Sequence, residues 1–155
     1  MNERELRDCF GLFATGVMIA TSSFEGKLYG ITINSFASVS LKPPLLLFSI
    51  DNKSSNLNAF QKAKHFSLSI LSEQQLLLAQ EFAKPKNEKK WQVEKYFSAK
   101  SGTPIFENSL GYFECERHEV VAAGDHHIVI GKIINCSKLT QSKPLLYLNG
   151  TFCSL

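Results

Sequence analysis

Arginine is scarce in this chain: Arg4, Arg7 and Arg117 are the only ones, and the net charge of +3 and pI near 8.7 rest on lysine. So small and scattered an excess suits anionic small molecules and lacks the basic stripe that a nucleic-acid partner requires. Long apolar runs are missing too. Segments such as Leu45-Leu46-Leu47-Phe48 fall far short of the roughly 20 residues of a membrane span, so no membrane partner is expected. The opening Met1-Asn2-Glu3-Arg4-Glu5 is charged and carries no apolar signal core, which predicts a cytoplasmic location.

The four cysteines (Cys9, Cys115, Cys136, Cys153) are dispersed, which argues against a disulfide framework or a zinc knuckle. A metal site would have to combine Cys115 with His118, His126 and His127, but neighbouring strand residues point to opposite faces, so none is expected. Neither Gly-x-Gly-x-x-Gly nor Gly-x-x-x-x-Gly-Lys-Ser/Thr occurs, and there is no internal repeat or low-complexity tract. What remains is an ordinary globular composition, 44% hydrophobic and 20% charged over 155 residues. That length supports one domain over 1–155, burying about 70% of the surface its unfolded chain would expose.

Leu6, Cys9, Phe10 and Phe13 fall at helical spacing and predict a short amphipathic helix over 3–13, with Gly16 as its stop. A hairpin follows: strand over 17–24, a Glu25-Gly26 turn, strand over 28–32. Residues 33–40 alternate small polar with apolar side chains as a strand or looped strand, ended by Pro43-Pro44. Residues 45–51 read as a buried strand, and Lys53-Ser54-Ser55 offers hydroxyl caps to a helix reaching about Lys64. A strand over 66–71, a Ser72-capped helix over 73–83, and an irregular polar excursion through 84–90 and Gly102-Thr103-Pro104 come next. Two long strands, 110–122 and 126–137, meet across Ala123-Gly124-Asp125, and 144–152 reads as the last strand. Six or seven strands in hairpin order with two or three short helices predict a mostly β fold, an antiparallel barrel with helices packed outside.

The segments 30–40 and 53–56 combine small residues, hydroxyls and a helix start, which suit a flat polar ring, a polyol and a phosphate. Ser/Asn-rich strand ends are usually turns and Lys-Ser-Ser is usually a solvated cap, so chemistry alone leaves the function open.

The order of blocks resembles the flavin reductase family of split-barrel FMN-binding proteins, the short-chain reductase components of two-component monooxygenases. The residues that carry the resemblance are Phe13-x-x-Gly16; Gly30-Ile31-Thr32-x-x-Ser35-Phe36-x-Ser38-Val39-Ser40-Leu41-x-Pro43-Pro44-Leu45; and Gly111-Tyr112-Phe113-Glu114-Cys115. They continue with Ala123-Gly124-Asp125-His126, Ile128 and Gly131, and end with Pro144-Leu145-x-Tyr147-x-x-Gly150.

The resemblance implies an antiparallel split β-barrel that forms a homodimer, with FMN in a groove near the subunit interface and FAD or riboflavin as possible replacements. By position, Thr32, Asn34 and Ser35 would meet the ribityl chain and ring edge, and Ser38, Val39 and Ser40 the isoalloxazine. Ser49, Lys53, Ser54 and Ser55 would serve the phosphate end. His126 would act on the nicotinamide side as the catalytic residue. His127 departs from the family pattern, is expected on the opposite strand face, and is assigned no role. Phe82 and Trp91 could border the ring and Tyr147 could lie near the nicotinamide or at the dimer interface, but aromatics at such spacing are more often core; Lys89 and Lys90 could bring positive charge to a phosphate, but a lysine run is normally a solvated face.

The implied activity is NAD(P)H:FMN oxidoreduction, with NADH or NADPH giving a hydride to flavin N5 and reduced flavin passing to a partner monooxygenase. Such chemistry needs alignment more than acid–base machinery, which suits a chain without a nucleophile–His–acid set. One rival reading is a non-catalytic FMN-binding or flavin-carrier protein on the same barrel. Another is a split-barrel oxidase of a pyridoxine phosphate-like substrate, against which the scarcity of arginine and the Gly124-Asp125-His126 block both count.

Overall fold

The computed structural model describes residues 1–85 and 87–155; Lys86, inside the polar stretch expected over 84–90, lies outside the described residues. The described chain is mostly β. Strands β1 (Thr15–Gly16), β2 (Met18–Phe24), β3 (Lys27–Ile33), β4 (Ala37–Leu41), β5 (Pro44–Asp51), β6 (His65–Ile70), β7 (Tyr96–Ser98), β8 (Pro104–Phe106), β9 (Gly111–Ala123), β10 (His126–Lys138), β11 (Leu145–Leu148) and β12 (Thr151–Ser154) run antiparallel wherever they pair. Helix α1 (Glu3–Gly11) precedes the strands and α2 (Leu57–Lys62) and α3 (Leu76–Ala83) lie between them, with single 3₁₀ turns at Glu73–Gln75 and Glu88–Gln92.

Seven strands form the main sheet in the order β3-β2-β6-β9-β10-β5-β4; β1-β11-β12 and β7-β8 form two smaller sheets. The mostly β, antiparallel architecture expected from the sequence is present, but the outer strands β3 and β4 share no ladder, so the main sheet does not close into a barrel. Side chains bridge the gap on the β3 side. Ser35, just beyond β3, offers its Oγ to the Ser49 N–H at 2.9 Å and donates to the Ser49 carbonyl at 3.2 Å. The Asn56 Oδ1 accepts from the Gly30 N–H at 3.2 Å, and Lys90 Nζ donates to the Gly30 carbonyl at 2.8 Å.

Strand periodicity splits β2 between two cores. Met18 and Ala20 face the concave side with Ile33, Leu46, Phe48, Ile50, Phe60, Phe66, Leu68, Cys115 and Val129, where the rings of Phe48, Phe60 and Phe66 meet edge-on. Val17 and Ile19 face outward against Leu78, Ala79 and Phe82 of α3, together with Leu71, Phe106 and Leu145. Three glycines of the sheet have no space for a side chain: a Cβ on Gly131 would lie 2.3 Å from the Phe66 ring, one on Gly30 2.6 Å from the Phe82 ring, and one on Gly111 2.6 Å from the Ser137 carbonyl oxygen.

Four local expectations are corrected. The first helix ends at Gly11 rather than at residue 13, and its apolar side covers nothing in this chain: Phe10 and Phe13 are 68% and 78% exposed. The second helix begins at Leu57 without a side-chain cap, because Ser54 Oγ instead accepts from the Asn56 N–H within the preceding turn. The final strand is a hairpin, since Asn149 and Gly150 both adopt positive φ, as a two-residue turn of that handedness requires. Around Gly102-Thr103-Pro104 the excursion folds back as β7-β8, with Thr103 to Phe106 buried. The Ser72 helix start is met in part: the Gln75 side chain accepts from the Ser72 N–H at 3.0 Å, but the Ser72 hydroxyl is buried without a partner and the segment opens as a 3₁₀ turn before α3.

Candidate active site

The residues singled out by sequence gather in three places, with Ser55 apart in a fourth. Thr32, Asn34, Ser35 and Ser49 lie along the gap between β3 and β5. The Thr32 hydroxyl is committed to the Ala79 carbonyl of α3 at 2.6 Å, while Asn34 is exposed. Asn34 stands where three hollows meet. The largest, about 540 Å³, runs between the end of α1 and the β11-β12 turn, past Phe10, Phe13, Thr15, Tyr147 and Gly150. Its neighbour of about 290 Å³ is walled by Thr32, Ala83, Tyr147 and Phe152. Thr15 Oγ1 is buried there without a hydrogen-bond partner. An unpaired buried hydroxyl beside a hollow is an unused polar contact.

Ser38, Val39 and Ser40 form the second group, on the edge strand β4. A bulge between Ser38 and Ser40 breaks the register there, so Ser38 pairs with Leu46 and Ser40 with Leu45. Bulges at edges turn backbone groups away from the ladder, leaving them free for a planar ligand edge.

The third group sits at the other end of β5. His126 pairs with Asp51, and the β9-β10 turn packs against the loop that follows β5. Asn52 donates its N–H to the Asp125 carbonyl at 2.9 Å and its Nδ2 to the Gly124 carbonyl at 3.3 Å. Asn52 Oδ1 then faces His127 Nδ1 at 2.6 Å, so that nitrogen carries the proton and His127 locks the two loops together. His126 Nδ1 meets Asp125 Oδ1 at 2.7 Å, which leaves Nε2 facing outward on a side chain 42% exposed. The hydrogen bond from His126, its charge, and then the Lys53 ammonium hold the Asp125 carboxyl below its usual range. Lys53 and Ser54 belong to this loop; Ser54 is spent on the Asn56 N–H, and the Lys53 N–H on Asp51 Oδ1 at 2.7 Å. Leu46 and Asp51 are five positions apart, which places Ser38 roughly 17 Å along β5 from His126. One chain therefore does not bring His126 beside the β4 residues.

Ser55 alone of the hydroxyl pair opens onto a different space, a cleft of about 960 Å³ bordered by Lys27, Tyr29, Asn56, Glu88, Lys89, Lys90 and Trp91. Two contributors to it do more than their residue types suggest. Asn56 reads as one more polar residue of a helix start, yet it holds Gly30. Lys90 reads as half of a solvated lysine pair, yet it is only 8% exposed. It reaches the Gly30 carbonyl across the face of Phe82, 4.8 Å from the ring centroid. Burial pushes its ammonium below the usual lysine range. The absence of a side chain at Gly30 is the one signal in the sequence that something approaches β3 there.

No group of three or more His, Cys, Asp or Glu side chains among the described residues is arranged to hold a metal ion, and no helix is long and apolar enough to cross a membrane.

Against known proteins, the flavin reductase like domain family matches residues 10–155. The reductase component of a flavin-dependent trigonelline monooxygenase from Acinetobacter baylyi is 44% identical over 133 residues, covering 85% of this chain and 43% of that protein. The NADH-dependent FMN reductase SmoA of Agrobacterium fabrum is 35% identical over 154 residues, covering 97% of this chain and 85% of the relative. The first curated relatives are longer proteins, of which this chain spans between 42% and 56%. Among solved structures, flavin reductase PheA2 superposes with a TM-score of 0.89 at 34% identity, covering 100% of this chain and 99% of that one. A homologue of nitrilotriacetate monooxygenase component B from Mycobacterium thermoresistibile does so with a TM-score of 0.94 at 32% identity, covering 99% and 86%. With its fold, its Gly30-to-Leu45 block and its Gly124-Asp125-His126 turn in the places described, the chain belongs to the flavin reductase like domain family.

Proposed function

We propose that this chain is an NAD(P)H-dependent flavin reductase that works on FMN and hands reduced flavin to a separate monooxygenase. The observation that carries the reading is the family match over residues 10–155. The hydroxyl-lined gap between β3 and β5 supports it, because the residues present fit a flavin. The β4 bulge offers backbone groups to a ring edge, Asn34 and the Thr15 hydroxyl are free for a polyol or ring, and Ser55 with three lysines borders a cleft for an anion.

In this reading Thr32 and Ser35 shape the groove through their bonds to Ala79 and Ser49, while Asn34, Ser38, Val39 and Ser40 face the ring and ribityl chain. Ser49 acts through its backbone; Lys53 and Ser54 shape the loop that presents Ser55. When bound, the flavin supplies the acceptor for a hydride from NADH or NADPH. The chain's part is to hold the two rings in register and keep water out. His126, its Nδ1 held by Asp125, presents Nε2 to the nicotinamide side. FMN is the flavin expected, with FAD or riboflavin as poorer substitutes.

The gap in the main sheet is the split of a split barrel, and residues 1–155 form one domain. A homodimer completes the site: His126 lies too far along β5 to serve the same chain's β4 edge, and Phe10, Phe13, Val39 and Leu41 stand exposed for a second copy to cover. Dependence on a nicotinamide reductant points to the cytoplasm. The test is oxidation of NADH and of NADPH with and without FMN, FAD and riboflavin. Oxidation strictly dependent on added or bound flavin is expected. Flavin binding without turnover would instead identify a carrier.

A further inference from the structure

The tip of the β9-β10 hairpin, which presents His126, has little beneath it. β6 pairs with β9 only over residues 111–116, so from Arg117 onward the outer edge of β9 carries no ladder, and residues 121–125 are exposed. On the other side the ladder between β10 and β5 ends at the His126–Asp51 pair, which leaves His126 on the last rung. A hairpin tip with a free edge and few buried contacts is the kind of segment that opens locally at little cost.

One residue outside the hairpin grips it on both sides of His126. Ahead of His126, Asn52 donates its N–H to the Asp125 carbonyl at 2.9 Å and its Nδ2 to the Gly124 carbonyl at 3.3 Å. Behind it, Asn52 Oδ1 accepts from His127 Nδ1 at 2.6 Å. Apart from the strand ladders and the contact between His126 and Asp125, these are the hydrogen bonds that residues 124–127 make among the described residues. Asn52 is itself fixed. It follows β5, whose Leu46, Phe48 and Ile50 are in the core, and it lies in a turn closed by the Ser54 N–H on the Asp51 carbonyl at 3.0 Å and the Lys53 N–H on Asp51 Oδ1 at 2.7 Å. The exposed tip is thereby tied to a rigid strand end.

We infer that Asn52 and His127 are positioning residues for His126: their hydrogen bond sets where the His126 ring stands, so that hydride transfer depends on a pair that acts only through its neighbour. This rests on the nicotinamide-side reading of His126 and adds what holds that residue in place. Strand alternation makes the division of labour possible, because adjacent side chains leave the strand on opposite faces. His126 keeps Nε2 open on one face, while His127 gives its ring to Asn52 on the other. Displacing a positioning group lowers the rate of a step that depends on alignment, and one hydrogen bond of net worth corresponds to about 3- to 10-fold.

The test is a double-mutant cycle between His127 and His126, read by anaerobic single-turnover reduction of the FMN-loaded protein with NADH or NADPH. His127→Phe keeps a ring without the donor and should slow reduction about 3- to 10-fold with FMN affinity unchanged. His127→Asn, which places an N–H where Nδ1 stood, should restore most of the rate. In a His126→Ala background, His127→Phe should add no further loss. An equal loss in both backgrounds, or reduction at the wild-type rate in His127→Phe, would overturn the inference and leave the pair a structural tie between two loops. If His127→Phe does not fold, Asn52→Ala takes its place with the same expectations for the reduction rate, since it removes the acceptor instead of the donor. His126→Ala that reduces flavin at the wild-type rate refutes the reading of His126, and the pair's role with it. Wild-type protein that neither nicotinamide reduces refutes the reductase reading itself.

Discussion

Replacing Ser35 by alanine tests how the gap between β3 and β5 is held. Ser35 Oγ both accepts from the Ser49 N–H at 2.9 Å and donates to the Ser49 carbonyl at 3.2 Å. A net contribution of about 1 kcal/mol for each bond, partly offset by water reaching a half-buried strand, gives a loss of about 1–2 kcal/mol. With an m-value near 2 kcal/mol per molar urea for a domain of this size, the unfolding midpoint should fall by about 0.5–1 M. The local effect is more specific. Because the Ser49 N–H turns toward Ser35 rather than into the β10 ladder, its amide should lose most of its exchange protection in Ser35→Ala, while the Val129 and Leu68 amides of the core strands keep theirs. Urea unfolding gives the first quantity and site-resolved hydrogen exchange the second. An unchanged midpoint together with a Ser49 amide still protected would show that the gap does not depend on this serine.

Gly131→Ala should be among the most damaging single changes, costing about 1–3 kcal/mol, because its Cβ would fall 2.3 Å from the Phe66 ring and 2.9 Å from Cys115 Cβ; thermal unfolding would register it. The Cys115 thiol, pushed up to about 12 by burial and then by the charge of Glu114, should resist alkylation at pH 8 until urea unfolds the chain, whereas exposed Cys9 and Cys136 react first. Buried Glu114 should make stability acid-sensitive: burial raises its pKa, but the hydrogen bonds from Ser101 outweigh this and leave it below its ordinary 4.5. A depressed carboxyl contributes stability that is present above the unfolded value and lost as pH falls through the folded one, so Glu114→Gln should flatten the decline below about pH 4.5 in a pH series of urea midpoints.

Much of this arrangement is legible in the residues themselves. Alternation in 17–24 and the Glu25-Gly26 turn mark the first hairpin, and Gly124-Asp125 marks the longest one, because those turns demand backbone conformations few residues adopt. The same rule, applied to Asn149-Gly150, would have divided the last strand in two; the short apolar runs on either side hid the turn. How the open edge of β3 is held is not legible, because its bonds are made by side chains of Ser35, Asn56 and Lys90 whose partners are backbone groups with no sequence signature. Hydroxyls alone also do not reveal which are free. Thr32, Ser35 and Ser54 look alike in sequence to Ser38 and Ser55, yet the first three spend their oxygens inside the chain.

The central claim, that the protein reduces flavin with a nicotinamide positioned at His126, is tested most directly by anaerobic rapid mixing of the FMN-loaded protein with NADH or NADPH, following the bleaching of the flavin's visible absorption. Wild-type protein should bleach in a single turnover with at least one of the two. His126→Ala should slow that phase about 5- to 150-fold, corresponding to about 1–3 kcal/mol of lost positioning, with FMN affinity unchanged. Bleaching at the wild-type rate in His126→Ala, or no bleaching of the wild-type protein with either nicotinamide, would contradict the account.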